Sequence, residues 1–156
     1  MASEFLERQK DDFFRDITSF GSIWFYFIVM LIFLMQENYN IFMELAIGLI
    51  FIYFIVVVIR SLHFKERPQK YSYTSFIEKI DAASFPSLHS TRTSFLGIFF
   101  ISYFNNVFLS MLFVILVFVV AYSRIYLKKH DIKDVSAGVV LGFVVYYAIN
   151  NIRFIY

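Results

Sequence analysis

The sequence predicts an all-α integral membrane protein, a five-span helical bundle with an N-terminal amphipathic helix in the membrane interface. Of the 156 residues, 60% are hydrophobic, and 22 are Phe and 11 are Tyr. That composition is too apolar for an ordinary soluble domain. Apolar runs about as long as a bilayer-crossing helix recur along the chain. We therefore expect one membrane-embedded domain over residues 1–156.

The first element, residues 1–16, mixes apolar and charged side chains. Phe5, Leu6 and Phe13 lie among acidic and basic residues, a pattern typical of a helix along the membrane surface. The apolar run that follows has no small-residue cleavage pattern, so we expect a retained helix rather than a signal peptide.

Five apolar runs follow as predicted spans. In chain order they are residues 17–35, 41–59, 88–104, 107–126 and 135–152. Short polar turns at 36–40 and 105–106 join spans at one membrane face, whereas 61–85 forms a long loop at the other. Within that loop, residues 74–83 predict a short amphipathic helix. Gly138 and Gly142 form a small-residue pair in the last span, typical of close helix packing.

The positive charges divide unevenly between the two membrane faces. Of the 14 lysine and arginine residues, all except Arg153 fall on the side of the long loops. Because cytoplasmic loops are enriched in Lys and Arg, the long loops are predicted to be cytoplasmic. The N-terminus would then be cytoplasmic and the C-terminus outside.

Polar residues at the ends of the predicted spans form three groups that meet at this cytoplasmic face. The groups are Arg60 with Arg67-Pro68, then Pro86-Ser87-Leu88-His89, then Ser123-Arg124 with His130 and Asp134. Residues 60–142 therefore form a motif-bearing core. If His130 and Asp134 stand four apart at a helix start, the carboxylate orients one ring nitrogen and leaves the other free to attack. Arginines around them would favour a tetrahedral anion.

In order and spacing, these groups resemble the three-part signature of the type 2 phosphatidic acid phosphatase and vanadium haloperoxidase superfamily. The resemblance implies a metal-independent membrane lipid phosphatase without a cofactor. It implies that His130 is the nucleophile of a phosphohistidine intermediate, that Asp134 orients it, and that His89 is the general acid. The implied phosphate-binding residues are Arg60, Arg67, Ser87, Leu88 and Arg124. Arg60 stands where the family usually has lysine, and Leu88 where it usually has glycine.

Arg92 lies one helical turn after His89, on the same face of the predicted third span. The stretch from Pro86 to Arg92 is similar to that of polyisoprenoid diphosphate phosphatases in the superfamily. If Arg92 faces the site, a second phosphate is its natural partner, and a polyisoprenyl phosphate or diphosphate is the favoured substrate. The alternative for Arg92 is a side chain that snorkels to the interface.

Other functions remain open at this stage. A phosphatidate or phosphatidylglycerophosphate phosphatase, or a lipid phosphotransferase, would use the same histidine. A vanadate-dependent haloperoxidase would share the phosphate site, but the predicted spans disfavour it. The non-enzymatic alternative is an inactive lipid-binding scaffold, which the intact set of His89, Arg124, His130 and Asp134 disfavours.

Several classes of site and partner are disfavoured by composition. The chain has no cysteine and no carboxylate cluster with metal-ligand spacing, so we expect no bound metal. Its net charge of +2 is modest, and no basic stripe suits a nucleic acid. The expected partners are a lipid phosphate and the bilayer, and the oligomeric state is left open.

Overall fold

The computed structural model describes residues 2–69 and 73–153. These residues form seven α-helices and one 3-10 turn. In chain order they are α1 (Ala2–Thr18), the turn Ser19–Gly21, α2 (Ile23–Met35), α3 (Tyr39–Leu62), α4 (Phe76–Ala82), α5 (Leu88–Phe104), α6 (Val107–Tyr126) and α7 (Ile132–Arg153). The predicted all-α class is confirmed. Lys70, one of the positive charges used for topology, lies outside the described residues.

The predicted first span, residues 17–35, is not one helix, and that prediction is corrected. The chain bends by 48° between α1 and the 13-residue helix α2. A Cβ on Gly21 would lie 3.0 Å from the His89 carbonyl oxygen, so the backbone passes very close to α5 here. The Ser22 side chain then accepts a hydrogen bond from Phe25 N and starts α2. A tertiary contact and a cap therefore break the apolar run.

Asparagines define the helix ends at the opposite end of the molecule. The side chains of Asn38 and Asn106 accept hydrogen bonds from the backbone N–H three residues later and start α3 and α6. Asn105 closes α5 in the left-handed conformation with φ of 46°, which asparagine tolerates better than most residues. The predicted polar turns are confirmed at both places.

Helix α5 lies at the centre of the bundle, and its first half is polar and buried. Five consecutive side chains are buried there, namely Ser90, Thr91, Arg92, Thr93 and Ser94. Helix α7 packs closely on this helix: a Cβ on Gly138 would lie 2.6 Å from Ser87 O, and one on Gly142 would lie 2.5 Å from Thr91 O. The two glycines therefore bring the starts of α5 and α7 together.

The outside of the bundle is apolar. Large exposed side chains include Trp24, Ile50, Phe54, Phe108 and Phe118. Large apolar side chains on the outside are the arrangement that a lipid environment favours, and the inside holds both a hydrophobic core cluster and the polar side chains of α5. Three helices, α3, α6 and α7, are long and apolar enough to cross a membrane, and the bent α1–α2 pair would make a fourth. The predicted count of five spans is not confirmed.

Two shorter helices lie near the polar end. Helix α4 confirms that a helix forms in the long loop, although none of its residues is buried, and Ser75 with Glu78 forms a capping box at its start. Helix α1 packs on α6, where the Tyr126 hydroxyl donates to Asp11 and the Phe14 ring lies 4.2 Å from the Tyr126 ring. Its place in the membrane interface stays a prediction.

Candidate active site

A cavity of about 340 Å³ lies at the polar end of the bundle. Seven of the nine residues predicted for the site line it, together with four that were not predicted. The predicted ones are Arg60, Arg67, Leu88, His89, Arg92, Arg124 and His130, and the others are Ser22, Ile23, Tyr53 and Asp81. The three sequence groups therefore converge on one cavity. Ser87 and Asp134 are fully buried and are not among the lining residues.

The loop after α6 brings His130 beside Arg124. The Arg124 carbonyl accepts hydrogen bonds from both Lys129 N and His130 N, at 3.1 and 3.2 Å. Lys128 adopts φ of 54°, which turns the chain back over the helix end. The chain thus turns tightly after the end of α6 and places both side chains at the cavity.

Asp134 lies behind His130, as the four-residue spacing predicted. Its Oδ2 is 3.5 Å from His130 Nδ1, and both side chains are buried. This separation is longer than a normal N–H···O bond, but it identifies Nδ1 as the nitrogen that faces the carboxylate. Nε2 is then the nitrogen available to the cavity.

The carboxylate of Asp134 is held from two further directions. Asp131 N donates to its Oδ2 at 3.1 Å, and Asp134 N donates to Asp131 Oδ1 at 3.0 Å. This reciprocal pair caps the start of α7. Lys65 Nζ donates to Asp134 Oδ1 and to Asp131 Oδ2, both at 2.6 Å. The orientation of Asp134 is therefore fixed before any ligand binds.

Ser87 connects α5 to α7 rather than facing the cavity. It caps α5, with its hydroxyl 3.4 Å from Ser90 N, and its own N–H donates to the Asp134 carbonyl at 3.0 Å. Its predicted contact with phosphoryl oxygens stays a prediction. The next two residues, Leu88 and His89, are half-buried and line the cavity.

Arg60 reaches the site from the last turn of α3, and Arg67 reaches it from the loop between α3 and α4. Arg60 donates to Ile80 O and Pro86 O, at 3.1 and 3.0 Å, and Arg67 donates to Asp81 O at 2.5 Å. Carbonyl oxygens near the C-terminal end of α4 therefore accept hydrogen bonds from both guanidinium groups. The Nε of Arg60 is buried and has no hydrogen-bond partner within residues 2–69 and 73–153.

Arg92 faces the cavity, so the structure places it beside His89 rather than at the membrane surface. Its Nε donates to Gly21 O at 2.9 Å, and its Nη1 donates to the Tyr53 hydroxyl at 2.7 Å. These bonds hold the guanidinium rigidly and leave Nη2 for a ligand.

The charge of the cavity favours an anion. Four guanidinium groups line it against one carboxylate, that of Asp81, and arginines bind phosphate oxygens through paired donors. Burial lowers the pKa of His130 below its ordinary value; Asp134 opposes this, and the guanidinium groups of Arg124 and Arg67 add to it. His130 is therefore neutral, and able to act as a nucleophile, at ordinary pH. No group of three or more metal-ligating side chains converges within the described ranges.

Sequence reasoning missed Lys65 and four residues that line the cavity, namely Ser22, Ile23, Tyr53 and Asp81. Tyr53 lies two helical turns before Arg60, so the seven-residue spacing along α3 was a usable signal. Asp81 lies in α4, within the helix that was predicted for residues 74–83. Lys65 stands in an irregular loop without any periodic pattern, and nothing in its spacing indicated Asp134.

An apolar cavity of about 310 Å³ lies between the 3-10 turn, α5 and α6, and its wall on α5 begins at Thr93, the residue after Arg92 of the polar cavity. Thr93 lines it one turn after His89, and Leu96, Gly97 and Phe100 continue the wall deeper into the bundle. The span from Thr93 to Phe100 corresponds to about 10 Å along a helix. A chain of methylene groups attached to a phosphate in the polar cavity would have apolar surroundings here.

Two comparisons place this geometry among known proteins. The family model described as PAP2 superfamily matches residues 43–155, which is most of the chain. A similar solved structure is the crystal structure of a transmembrane PAP2-type phosphatidylglycerolphosphate phosphatase from Bacillus subtilis, with a TM-score of 0.74. The two chains are 18% identical, and the match covers 93% of this chain and 77% of the other. At that identity the likeness concerns the fold.

Proposed function

Because this chain belongs to the PAP2 superfamily, we propose that it is an integral membrane lipid phosphatase that works through a phosphohistidine on His130. The observation that carries the proposal is the convergence of His89, His130 and four arginines on one cavity. The predicted superfamily is shown by the family match. The lipid, the intermediate and the role of each residue are proposals.

In the first step, His130 Nε2 attacks phosphorus and the bond to the leaving oxygen breaks. His89 donates a proton to that oxygen, and Asp134 stabilises the imidazolium that forms on His130. In the second step, water gives a proton to His89 and attacks the phosphohistidine, which releases inorganic phosphate and restores both histidines. Arg60, Arg67 and Arg124 bind the three equatorial oxygens, on which negative charge concentrates.

For the substrate, we favour a polyisoprenyl phosphate or diphosphate. Arg92 gives the cavity a fourth guanidinium, which a second phosphate would use, and the adjacent apolar cavity suits a hydrocarbon chain. A phosphatidylglycerophosphate is the alternative, favoured by the fold shared with the Bacillus subtilis enzyme.

We also propose the setting of the reaction. The whole chain, 1–156, acts as one domain, with the site at the cytoplasmic face and no metal in the mechanism. Helices α2 and α5 lie in the bilayer with α3, α6 and α7, and α1 lies along the interface. Exposed Trp24, Ile28 and Leu31 on α2 support its contact with lipid.

Phosphate release by the purified protein in detergent tests the function. The panel contains a prenyl phosphate, a prenyl diphosphate, phosphatidate and phosphatidylglycerophosphate, each assayed with EDTA, and the His130→Gln variant is the control. We expect release from at least one lipid, loss of release in the variant, and inhibition by vanadate. No release from any lipid, or activity that requires added Mg²⁺ after EDTA, would contradict the proposal.

A further inference from the structure

Lys65 belongs to none of the three sequence groups, yet it makes the closest contacts to the carboxylate behind His130. Its Nζ lies 2.6 Å from Asp134 Oδ1 and 2.6 Å from Asp131 Oδ2. Asp134 is fully buried, whereas the Lys65 and Asp131 side chains are 29% and 43% exposed. One ammonium group therefore bridges two carboxylates at the start of α7.

The backbone of this loop is anchored, so the contact is built into the fold. Ser84 N donates to the Lys65 carbonyl at 2.8 Å, and Ser84 Oγ donates to the Glu66 carbonyl at 3.1 Å. Ser84 is fully buried and lies three residues before Ser87. The segment that starts α5 thus also fixes the position from which Lys65 reaches Asp134.

We infer that Lys65 is a positioning residue, which fixes Asp134 against His130 and reduces the negative charge that Asp134 presents to the imidazole. Asp131 and Asp134 together carry two negative charges, and the positive charge of Lys65 reduces the net charge of the group to one negative unit. This inference deepens the proposed function, since it concerns the nucleophile of that reaction.

The charge balance determines how basic His130 is. An isolated carboxylate beside an imidazole favours the protonated ring, which has no free lone pair for attack on phosphorus. Lys65 offsets that effect while Asp134 still orients the ring. Burial would lower the pKa of Lys65, but its bonds to Asp131 and Asp134 outweigh burial and raise it above the ordinary value. The ammonium therefore stays charged across the working pH range.

Other charged groups also act on His130 and remain in every variant described below. They come from the loop after α3, from α5 and from α6, and they are Arg67, His89 and Arg124. Because these groups are constant, a change at Lys65 or Asp131 isolates the contribution of the bridge.

Two substitutions are predicted to move His130 in opposite directions. Lys65→Met keeps most of the side-chain length and removes the positive charge, so the pKa of His130 should rise by about one unit. Asp131→Asn removes a negative charge and keeps an oxygen that can cap Asp134 N, so that pKa should fall. Lys133→Met is the matched control, because Lys133 is exposed one residue before Asp134 and its charge is screened by solvent.

Histidine side-chain NMR of the full chain in detergent measures these shifts without any need for turnover. The chain has three histidines, and the His63→Gln and His130→Gln variants assign their signals. In activity assays, the acidic limb of kcat/KM should move to higher pH in Lys65→Met. Its turnover at the pH plateau should also fall roughly tenfold, because Asp134 loses a fixing contact.

The outcomes separate this inference from the proposed function. A His130 signal that is unmoved in Lys65→Met, or that moves no more than in Lys133→Met, overturns the inference, as does a fall in the same direction as Asp131→Asn. A merely structural bridge would lower activity at every pH and leave the titration unchanged. If the NMR shifts are as expected but no lipid phosphate is hydrolysed, the proposed function fails and the control of His130 by Lys65 stands.

Discussion

Ser87 donates its backbone N–H to the carbonyl oxygen of Asp134 at 3.0 Å, which joins the start of α5 to the start of α7. His89 follows Ser87 by two residues, and His130 precedes Asp134 by four. This backbone hydrogen bond and the close packing of Gly138 and Gly142 on α5 therefore hold the proposed general acid and the proposed nucleophile near each other. Backbone contacts of this kind persist through side-chain replacement, so conservative variants should report chemistry rather than misfolding.

The first prediction concerns His130 and Asp134. His130→Gln should abolish turnover because it removes the nucleophile, and Asp134→Asn should lower kcat by about 10²-fold or more because the ring loses its orienting carboxylate. With labelled lipid phosphate, wild-type protein quenched in base should retain covalent phosphate that acid removes. Near-normal turnover by His130→Gln would end the assignment.

Arg92→Gln should affect prenyl diphosphates and monophosphates differently. A hydrogen bond to a charged group contributes about 1.5–3 kcal/mol, so kcat/KM for the diphosphate should fall by one to two powers of ten. The matched monophosphate should change little. Tyr53→Phe is the control, because it removes the hydroxyl that Arg92 contacts at 2.7 Å and keeps the guanidinium. Equal losses on both substrates would assign Arg92 to the first phosphate or to the fold.

Gly142→Ala should destabilise the bundle. The new Cβ would lie 2.5 Å from Thr91 O and 2.8 Å from Phe95 N, and backbone atoms of a central helix have little room to move. Overpacking of this kind costs about 1–3 kcal/mol, which thermal unfolding in detergent would detect as a lower midpoint. Val140→Ala, at an exposed position on the same helix, should have little effect. An unchanged midpoint for Gly142→Ala would show that α5 and α7 separate easily.

The orientation in the membrane is tested with a single introduced thiol. The chain has no cysteine, so Lys129→Cys gives one reactive group in the loop beside His130. A membrane-impermeant reagent should leave it unlabelled in intact cells and label it after the cells are opened. Gln36→Cys lies in the turn between α2 and α3, at the opposite end of the molecule. The reagent should label this thiol in intact cells. Labelling of Lys129→Cys in intact cells would overturn the cytoplasmic placement.

Helix bounds were predictable where polar residues interrupt the apolar sequence. The predicted spans 88–104 and 107–126 coincide with α5 and α6 because Ser87 caps one helix and the two asparagines at 105 and 106 separate them. The break at 19–22 was not predicted: the approach of Gly21 to His89 depends on another helix, whereas the Ser22 cap that starts α2 was a usable local signal. From composition alone, residues 17–35 were predicted to form one continuous span.

The contacts of the site also include some that were predictable from the sequence and some that were not. Spacing predicted that His130 and Asp134 would face each other, and they do, although only Asp134 lies in α7 and His130 precedes the first residue of that helix by two. Lys65 reaches Asp134 across 69 residues of sequence, and only the folded loop brings them together. Local periodicity predicts contacts within a helix, whereas contacts made by irregular loops depend on the whole fold.

The segment before residue 43 lies outside the family match. It nevertheless accepts hydrogen bonds from two arginines that line the cavity. Thr18 Oγ1 accepts a hydrogen bond from Arg124 at 3.1 Å, and Gly21 O accepts one from Arg92 at 2.9 Å. Relatives that keep the three motifs but carry a different leading segment would therefore aim the same guanidinium groups differently. The three motifs therefore do not by themselves determine how Arg92 and Arg124 are oriented toward a ligand.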